Sequence, residues 1–434
     1  MAFFARSKSP QAPAQPERNK TLPDPPAVNA DGRRSLEDHR DYLLSLVRPL
    51  RPFGIGTLDA LGQSLCENIV SDIDLPTFTS ALVDGYAVRG SDLVWASESR
   101  PVRLPVVDVL ESIDYRGAPL TPGTAVRIAV GAPVPEGADA VIGLEHTDSG
   151  TDVVTITSEV AFHANLRMAG SDIADGTHLL STGDILSPGA IGLLAEIGID
   201  KVLVRPRPRV VVVTSGSHLV QPGLPLTSRA QSYDTTTTLI AAAARADGAQ
   251  VYPLNTLEPN KAKLTQVLSD QLIRADLVVA IGDLDGPDGV AEVLGALGRA
   301  DVSEVAIRPG GRQGFALIGD DETPVVALPL GAVSAFVGYH AFVRPLLRKL
   351  AGLDPLHRPV VTAPSRAKIT GTRGFTELIP AQLTARGAVP VGSAESELAF
   401  DLSRADALVI VPEPADAVGP TSDVECWVLT PPPR

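Results

Sequence analysis

The stretch VVVVTSGSHL, residues 210–219, decides the fold. Four consecutive valines leave no face for water, so the strand is expected to be buried on both sides, and Ser-Gly-Ser ends it in a turn. The runs VVAIGDLDG at 278–286 and VVALPLGAVSA at 325–335 repeat the pattern. Between them stand TTTTLIAAAARADGA at 235–249 and a charged helical segment that separates VYPLNTL from ADLVVAIG; FVGYHAFVRPLLRKLAG at 336–352 closes the unit. Buried strands alternating with amphipathic helices predict a parallel sheet covered on both faces. Ligands of such sheets bind at the glycine turns after the strands, where free N–H groups can cradle an anion such as a phosphate. The same turns also serve as plain strand–helix connections, and the residues are compatible with both readings.

Outward from this unit the texture changes. Ser35 followed by Asp38 resembles a helix cap, and Leu36, Leu43, Leu44, Leu46, Val47 and Leu50 supply an apolar face, which predicts a helix ending near Arg51-Pro52. From about 70 to 171 the apolar runs are short and strand-like (VRLPVVDVL, TAVRIAV, ADAVIGLE, TDVVTITSEVAF), which reads as a β-rich insertion. The segment 355–434 returns to short strands (PVVTAP, ALVIVPEP, VECWVL) and predicts a small β domain. Residues 1–33, rich in Pro, Ala and charge without an apolar period, are expected to form a disordered tail.

At ~150 residues per domain, the 434 residues suggest about three domains. Acids outnumber Lys and Arg by 51 to 37, for a net charge of -14, and no basic block is present that would track a phosphate backbone, so nucleic acid is not an expected partner. The two cysteines, Cys66 and Cys426, provide neither a metal knuckle nor a disulfide framework and suit a reducing cytoplasm. The start lacks the apolar core of a signal peptide. The longest uncharged run, Thr323 to Val343, contains Pro324, Pro329, Gly331, Gly338 and His340 and reads as a buried strand, a turn and a helix, not a membrane span. No P-loop, GxSxG elbow or HExxH occurs, and Asp59 takes the place of the third glycine after Gly54 and Gly56. The seven histidines are too scattered for two to share a helical turn, so spacing defines no metal site.

Four longer segments carry a family resemblance: LPTFTSALVDGYAVRGSD at 75–92, RIAVGAPVPEGADAVIGLEHT at 127–147, NLRMAGSDI at 165–173 and VRPRPRVVVVTSGSHLVQPG at 204–223. In these the chain resembles the molybdopterin molybdenumtransferase (MoeA) and gephyrin E-domain family, as a divergent gephyrin-like actinobacterial member. The resemblance implies an elongated four-subdomain α/β plus β fold and a homodimer. A parallel α/β, molybdopterin-binding-like subdomain would comprise 34–51 and 205–352, a linking subdomain 52–70 and 172–204, a β-rich inserted subdomain 71–171, and a C-terminal β subdomain 353–434. Carried over onto matching positions, it implies Asp84, Asp172, Asp234 and Asp288 as vestiges of the acids of the catalytic cleft. It further implies Gly216, Gly282, Arg308, Pro309, Gly310, Arg312, Pro329 and Ser334 as the cofactor-binding set.

Departures from the family pattern are as informative. Val130 replaces a threonine, Ser217-His218 replace an Asp-Glu pair, and Pro259 and Asn260 stand where an Asp pair is common. The glycine-rich loop becomes AIGDLDGPDG, which places Asp283 and Asp285 where backbone would meet phosphate; Gly311 replaces a second lysine, and LPGNP becomes LPLGA. If each lost polar contact is worth roughly 1.5 kcal/mol, three weaken binding by about a thousandfold. The resemblance therefore implies a gephyrin-like dimeric adaptor with a degraded pocket, without a resident cofactor or metal. Such an adaptor would grip a linear peptide of a cytoplasmic or membrane-linked partner, such as the FtsZ tail in cell division, through residues within 353–434. It would be cytoplasmic, recruited to the division site, and not inserted in a membrane. The alternative it implies is an active molybdopterin molybdenumtransferase, which inserts molybdate into adenylylated molybdopterin with magnesium in molybdenum cofactor biosynthesis.

Overall fold

The computed structural model describes residues 21–111, 118–254, 260–286, 289–392 and 398–429, which fall into two compact units, 1–53 with 205–434 and 54–204. The first unit is built on a six-stranded sheet. Its elements are helix α1 (Leu36–Leu46), strand β1 (Arg209–Thr214), helix α2 (Thr235–Ala246), strand β2 (Gln250–Pro253), helix α3 (Lys261–Leu272), strand β3 (Leu277–Ile281), helix α4 (Val290–Leu297), strands β4 (Gly298–Glu304), β5 (Arg312–Ile318) and β6 (Thr323–Leu328), and helices α5 (Ala332–Gly338) and α6 (Arg344–Ala351). Strand order is β2-β1-β3-β6-β5-β4. The first four run parallel, as the valine runs predict. The last two, β5 and β4, run antiparallel, an addition to the expected parallel sheet. They were hidden because GRADVSE is broken by glycine and polar residues, and in RQGFALI the apolar run is confined to Phe315–Ile318, too short for periodicity alone to identify as a strand.

Alternation along the strands separates two cores. Val210, Val212, Val279 and Ile281 face a layer made by α1, α2, α5 and α6. Val211, Val213, Val278 and Ala280 face Leu264 and Leu268 of α3 and Val293 and Leu294 of α4. Both faces are covered, which is why these strands contain almost no polar residue.

The Ser35 hydroxyl accepts the Asp38 amide at 3.0 Å and starts α1. The helix stops at Leu46, earlier than the expected Arg51-Pro52. Pro49 disfavours a helical conformation at Arg48, and Val47 is already extended. Within the expected tail, residues 21–33 differ from the disordered reading. The Tyr42 hydroxyl donates to the Pro23 carbonyl at 3.1 Å, Leu22 packs on the core, and the Arg33 guanidinium lies 4.2 Å from the Phe375 ring centroid. Residues 1–20 lie outside the described residues.

The C-terminal strands are β7 (Val360–Pro364), β8 (Thr376–Thr384), β9 (Gly387–Pro390), β10 (Ala407–Val411) and β11 (Asp423–Val428), in the order β8-β10-β11-β7 with β9 also paired to β8. One face has its own core around Ile379, Val409 and Cys426. The other contributes Leu378, Leu408 and Trp427 to the same apolar layer as β1 and β3, so this β segment is packed onto the α/β sheet.

In the second unit, residues 54–75 and 173–204 share a small core of Leu65, Ile69, Leu186, Leu194 and Val204, with the helix Pro188–Glu196 capped by Ser187. Inserted between them is a five-stranded sheet ordered Ala140–Gly143, Gly85–Val88, Ala125–Ile128, Val102–Leu110, Val153–Ile156. Gly85 cannot carry a side chain, because a Cβ there would lie 2.0 Å from the Ile142 carbonyl oxygen on the neighbouring strand. That close approach explains the glycine of the DGYA stretch.

The uncharged run 323–343 folds as β6, a turn, α5 and a π-helical turn at Tyr339–Val343 that leads into α6. No helix among the described residues is long and apolar enough to cross a membrane. The π turn faces a buried charge. Asp247, the C-cap of α2, accepts from the Tyr339 hydroxyl at 2.8 Å, Arg344 Nε at 3.1 Å and Arg358 Nη2 at 3.1 Å. Arg358 also donates to the Leu429 carbonyl, tying in the end of β11. Truncating one member of such a buried group leaves the other charges uncompensated. Asp247→Ala is therefore expected to lower unfolding free energy by about 3–5 kcal/mol, read from the midpoint and slope of a urea titration; a loss below about 1 kcal/mol would show that the network is dispensable.

Two buried histidines make stability depend on pH. Burial, with the Arg34 charge beside it, pushes His39 down from 6.5 to about 4, and burial with Arg358 and Arg344 holds His340 well below its ordinary value. Above pH 6.5 both states of the chain carry neutral rings and nothing changes. Below it the unfolded chain takes up protons that the folded one refuses, so stability falls by about 1.4 kcal/mol per pH unit per histidine. For His39 the window runs from 6.5 to about 4. Denaturant titrations of wild type and His39→Gln across that range should show a shallower pH slope in the variant.

Candidate functional site

The order of the parallel strands reverses between β1 and β3: the chain leaves β1 for α2 on one face, and leaves β3 for α4 on the other. Beyond the carboxyl ends of strands at such a reversal the two loops part and leave a crevice. A cleft of about 340 Å³ lies here, lined by Ser215, Gly216, Ser217 and His218 after β1, by Asp283, Asp285, Gly286, Gly289 and Val290 around the start of α4, and by Leu330 after β6.

Its donors and charges conflict. Among the described residues, the amides of Gly216, Ser217 and His218 donate to no protein acceptor, an arrangement suited to an anion. The first amides of α4 are already used: Val290 donates to the Asp283 carbonyl at 2.9 Å and Ala291 to the Leu284 carbonyl at 3.2 Å. Gly289 makes this fold-back possible, since a Cβ there would lie 2.6 Å from the carbonyl oxygens of Leu284 and Asp285. The carboxylates of Asp283 and Asp285 are exposed in the lining, which contains no Lys or Arg. Arg312, at the start of β5, donates Nη2 to Asp285 Oδ1 at 2.8 Å, and its Nε lies 3.7 Å from Glu304 Oε1.

The other expected positions are distributed as follows. Gly216 lines the cleft; Gly282, just after β3, does not, and donates its amide to the Leu328 carbonyl at 3.1 Å. Arg308 donates to Thr372 Oγ1 at 2.9 Å and lies 5.7 Å from the Phe375 ring centroid, so it is held against the C-terminal β segment. It precedes Pro309 through a cis peptide, and the Gly310 carbonyl accepts from Gln313 Nε2 at 2.6 Å. Pro329 is half-buried and Ser334 is buried in α5; neither lines the cleft.

Asp234 is buried and caps α2, accepting the Thr237 amide at 3.0 Å and the hydroxyls of Thr236 and Thr237. Thr237 spends its single proton on this carboxylate, so at the other contact, 2.6 Å long, Thr214 at the end of β1 is the donor. Asp84 and Asp172 belong to the second unit and are exposed; Asp84 Oδ1 accepts the Val130 amide at 2.8 Å, and Asp172 pairs with Arg167. Asp288 and Pro259 lie outside the described residues, while Asn260 caps α3. Among the described residues no three His, Cys, Asp or Glu side chains come together to hold a metal ion. The Asp285–Arg312 pair joins a loop to a strand 27 residues away and has no signature in spacing.

Three family descriptions match in order: MoeA N-terminal region (domain I and II) over 34–198, probable molybdopterin binding domain over 211–349, and MoeA C-terminal region (domain IV) over 362–429. Similar relatives include molybdopterin molybdenumtransferase 2 of Mycobacterium tuberculosis, 34% identical over 409 residues and covering 92% of this chain and 100% of the relative. Molybdopterin molybdenumtransferase 1 of the same organism is 32% identical, with 89% and 96% covered. A MoeA molybdopterin biosynthesis protein of Pyrococcus horikoshii superposes with a TM-score of 0.81 at 28% identity, over 92% of this chain and 100% of that one.

The Asp234 geometry makes a direct prediction. Asp234→Ala removes a cap and strands two threonine hydroxyls, and is expected to cost about 2 kcal/mol in a thermal or urea titration. Asp234→Asn, which keeps one acceptor, should recover part of that loss.

Proposed function

The chain belongs to the MoeA family, and we propose that it is a molybdopterin molybdenumtransferase, inserting molybdate into adenylylated molybdopterin. One observation carries the proposal. The three amides of Gly216, Ser217 and His218, unclaimed by protein acceptors, sit in the switch-point cleft of a chain that matches enzymes of that name along their whole length. The amides would take the phosphate end of the pterin substrate, and Arg312 is the nearby cation able to offset its charge once Asp285 releases it. No step is assigned to magnesium. The test is a cofactor-formation assay with purified protein, adenylylated molybdopterin and molybdate, read by reconstitution of a cofactor-free molybdenum enzyme. Formation is expected to exceed the protein-free rate by at least tenfold and to fall with Arg312→Gln; formation at the protein-free rate would refute the proposal.

A second reading is favoured by the two carboxylates in the cleft and by the α4 amides consumed by their own loop, both of which oppose an anionic substrate. On that reading the protein is a dimeric, gephyrin-like adaptor that has kept the scaffold and binds a linear peptide, such as the FtsZ tail, on the C-terminal β segment. The edge strand β7, with Val360 and Val361 exposed, offers the backbone groups that an added strand would pair with. Calorimetry with the tail peptide separates the two: binding without cofactor formation supports the adaptor, and formation without binding supports the enzyme.

A further inference from the structure

Beside the cleft a cation and a carboxylate are paired, Arg312 at the start of β5 and Asp285 in the lining. Arg312 donates Nη2 to Asp285 Oδ1 at 2.8 Å, while its Nε is buried, has no hydrogen-bond partner and lies 3.7 Å from Glu304 Oε1, beyond hydrogen-bond reach. The guanidinium is thus only partly satisfied, although its planar fork is suited to a two-oxygen partner. Asp285 is fixed on its side, since its amide donates to Asp283 Oδ1 at 3.2 Å and its carbonyl lies where a Cβ on residue 289 would strike. The pair stands largely in water, with the Asp285 side chain 66% exposed, so screening keeps it weak and exchangeable.

We propose that Asp285 is a tethered competitor: its carboxylate occupies the Arg312 fork that a phosphate or pyrophosphate group would take, so such a ligand binds by exchanging one anion for another. The inference rests on reading the cleft as a phosphate site. Asp285 then sets affinity without touching the bound ligand. Once displaced it remains beside the cleft as a like charge, which opposes every anion and is tolerated only when the ligand makes further contacts with the amides of Gly216 and Ser217. The cleft would discriminate against small free anions in favour of larger phosphate-bearing ligands.

The test is calorimetric titration of the full chain with inorganic pyrophosphate at low and high salt. Asp285→Asn is expected to bind about two- to tenfold more tightly than wild type, with Asp285→Ser as an independent second variant. Arg312→Gln should weaken binding, and the gain should vanish in Asp285→Asn/Arg312→Gln, because no fork remains to be released. Equal affinity of wild type and both Asp285 variants, or a gain that persists without Arg312, would overturn the competitor while leaving the phosphate cleft standing. Absence of pyrophosphate binding in every variant would overturn both.

Discussion

Asp247 is the charge on which the architecture of the larger unit turns. It lies at the end of α2, and its two oxygens receive Tyr339 from the π turn, Arg344 from α6 and Arg358 from the segment that enters the C-terminal strands. A buried carboxylate is tolerable only if paired and hydrogen-bonded, and the same holds for the two arginines around it. Satisfying all four groups at once specifies where the final helices and the β segment meet the sheet. The π turn belongs to this arrangement, since Tyr339 opens it and Arg344 follows its last residue. Burial, with the Asp247 charge next, also drives the Tyr339 phenol well above its ordinary range, so it remains a neutral donor.

The cleft depends on that packing only indirectly, because its position follows from strand order. Where the connections of β1 and β3 diverge, a crevice is unavoidable; what occupies its rim is a matter of sequence. Here the rim combines features that pull in opposite directions. Free amides after β1 favour an anion, whereas Asp283 and Asp285 oppose one, and the start of α4 is sealed by the carbonyls of its own loop. Two like charges 4 Å apart cost about 1 kcal/mol in bulk water, enough to tune affinity without abolishing it. A larger ligand with several contacts can meet such an opposition; a small oxyanion cannot meet it as well.

The parts of the fold legible in sequence are those whose signal is continuous. The valine runs at 210–213, 278–279 and 325–326 could only be buried strands, and Ser35 announced the start of α1. The ends and edges were less legible. Pro49 stopped α1 a turn early, and β4 and β5 escaped notice because β4 is polar along most of its length and the apolar run of β5 is confined to Phe315–Ile318. At the site, the turns after β1 and β3 were correctly placed at strand ends. The role of Asp234 as a buried cap, and the holding of Arg308 against Phe375 and Thr372, required knowing which chain segments become neighbours.

By itself, the sequence determined the class of the sheet, the family, the acidic balance and the presence of Asp283 and Asp285 in the loop after β3. Each of these is local: a run of side chains, a motif or a count. Tertiary structure alone decided that Asp285 meets Arg312, that Asp247 meets two arginines and a tyrosine, and that the α4 amides are spent on their own loop. The physical reason is that charge and hydrogen-bond pairing depend on distances of a few ångströms between residues far apart in the chain, and composition and periodicity contain no information on those distances.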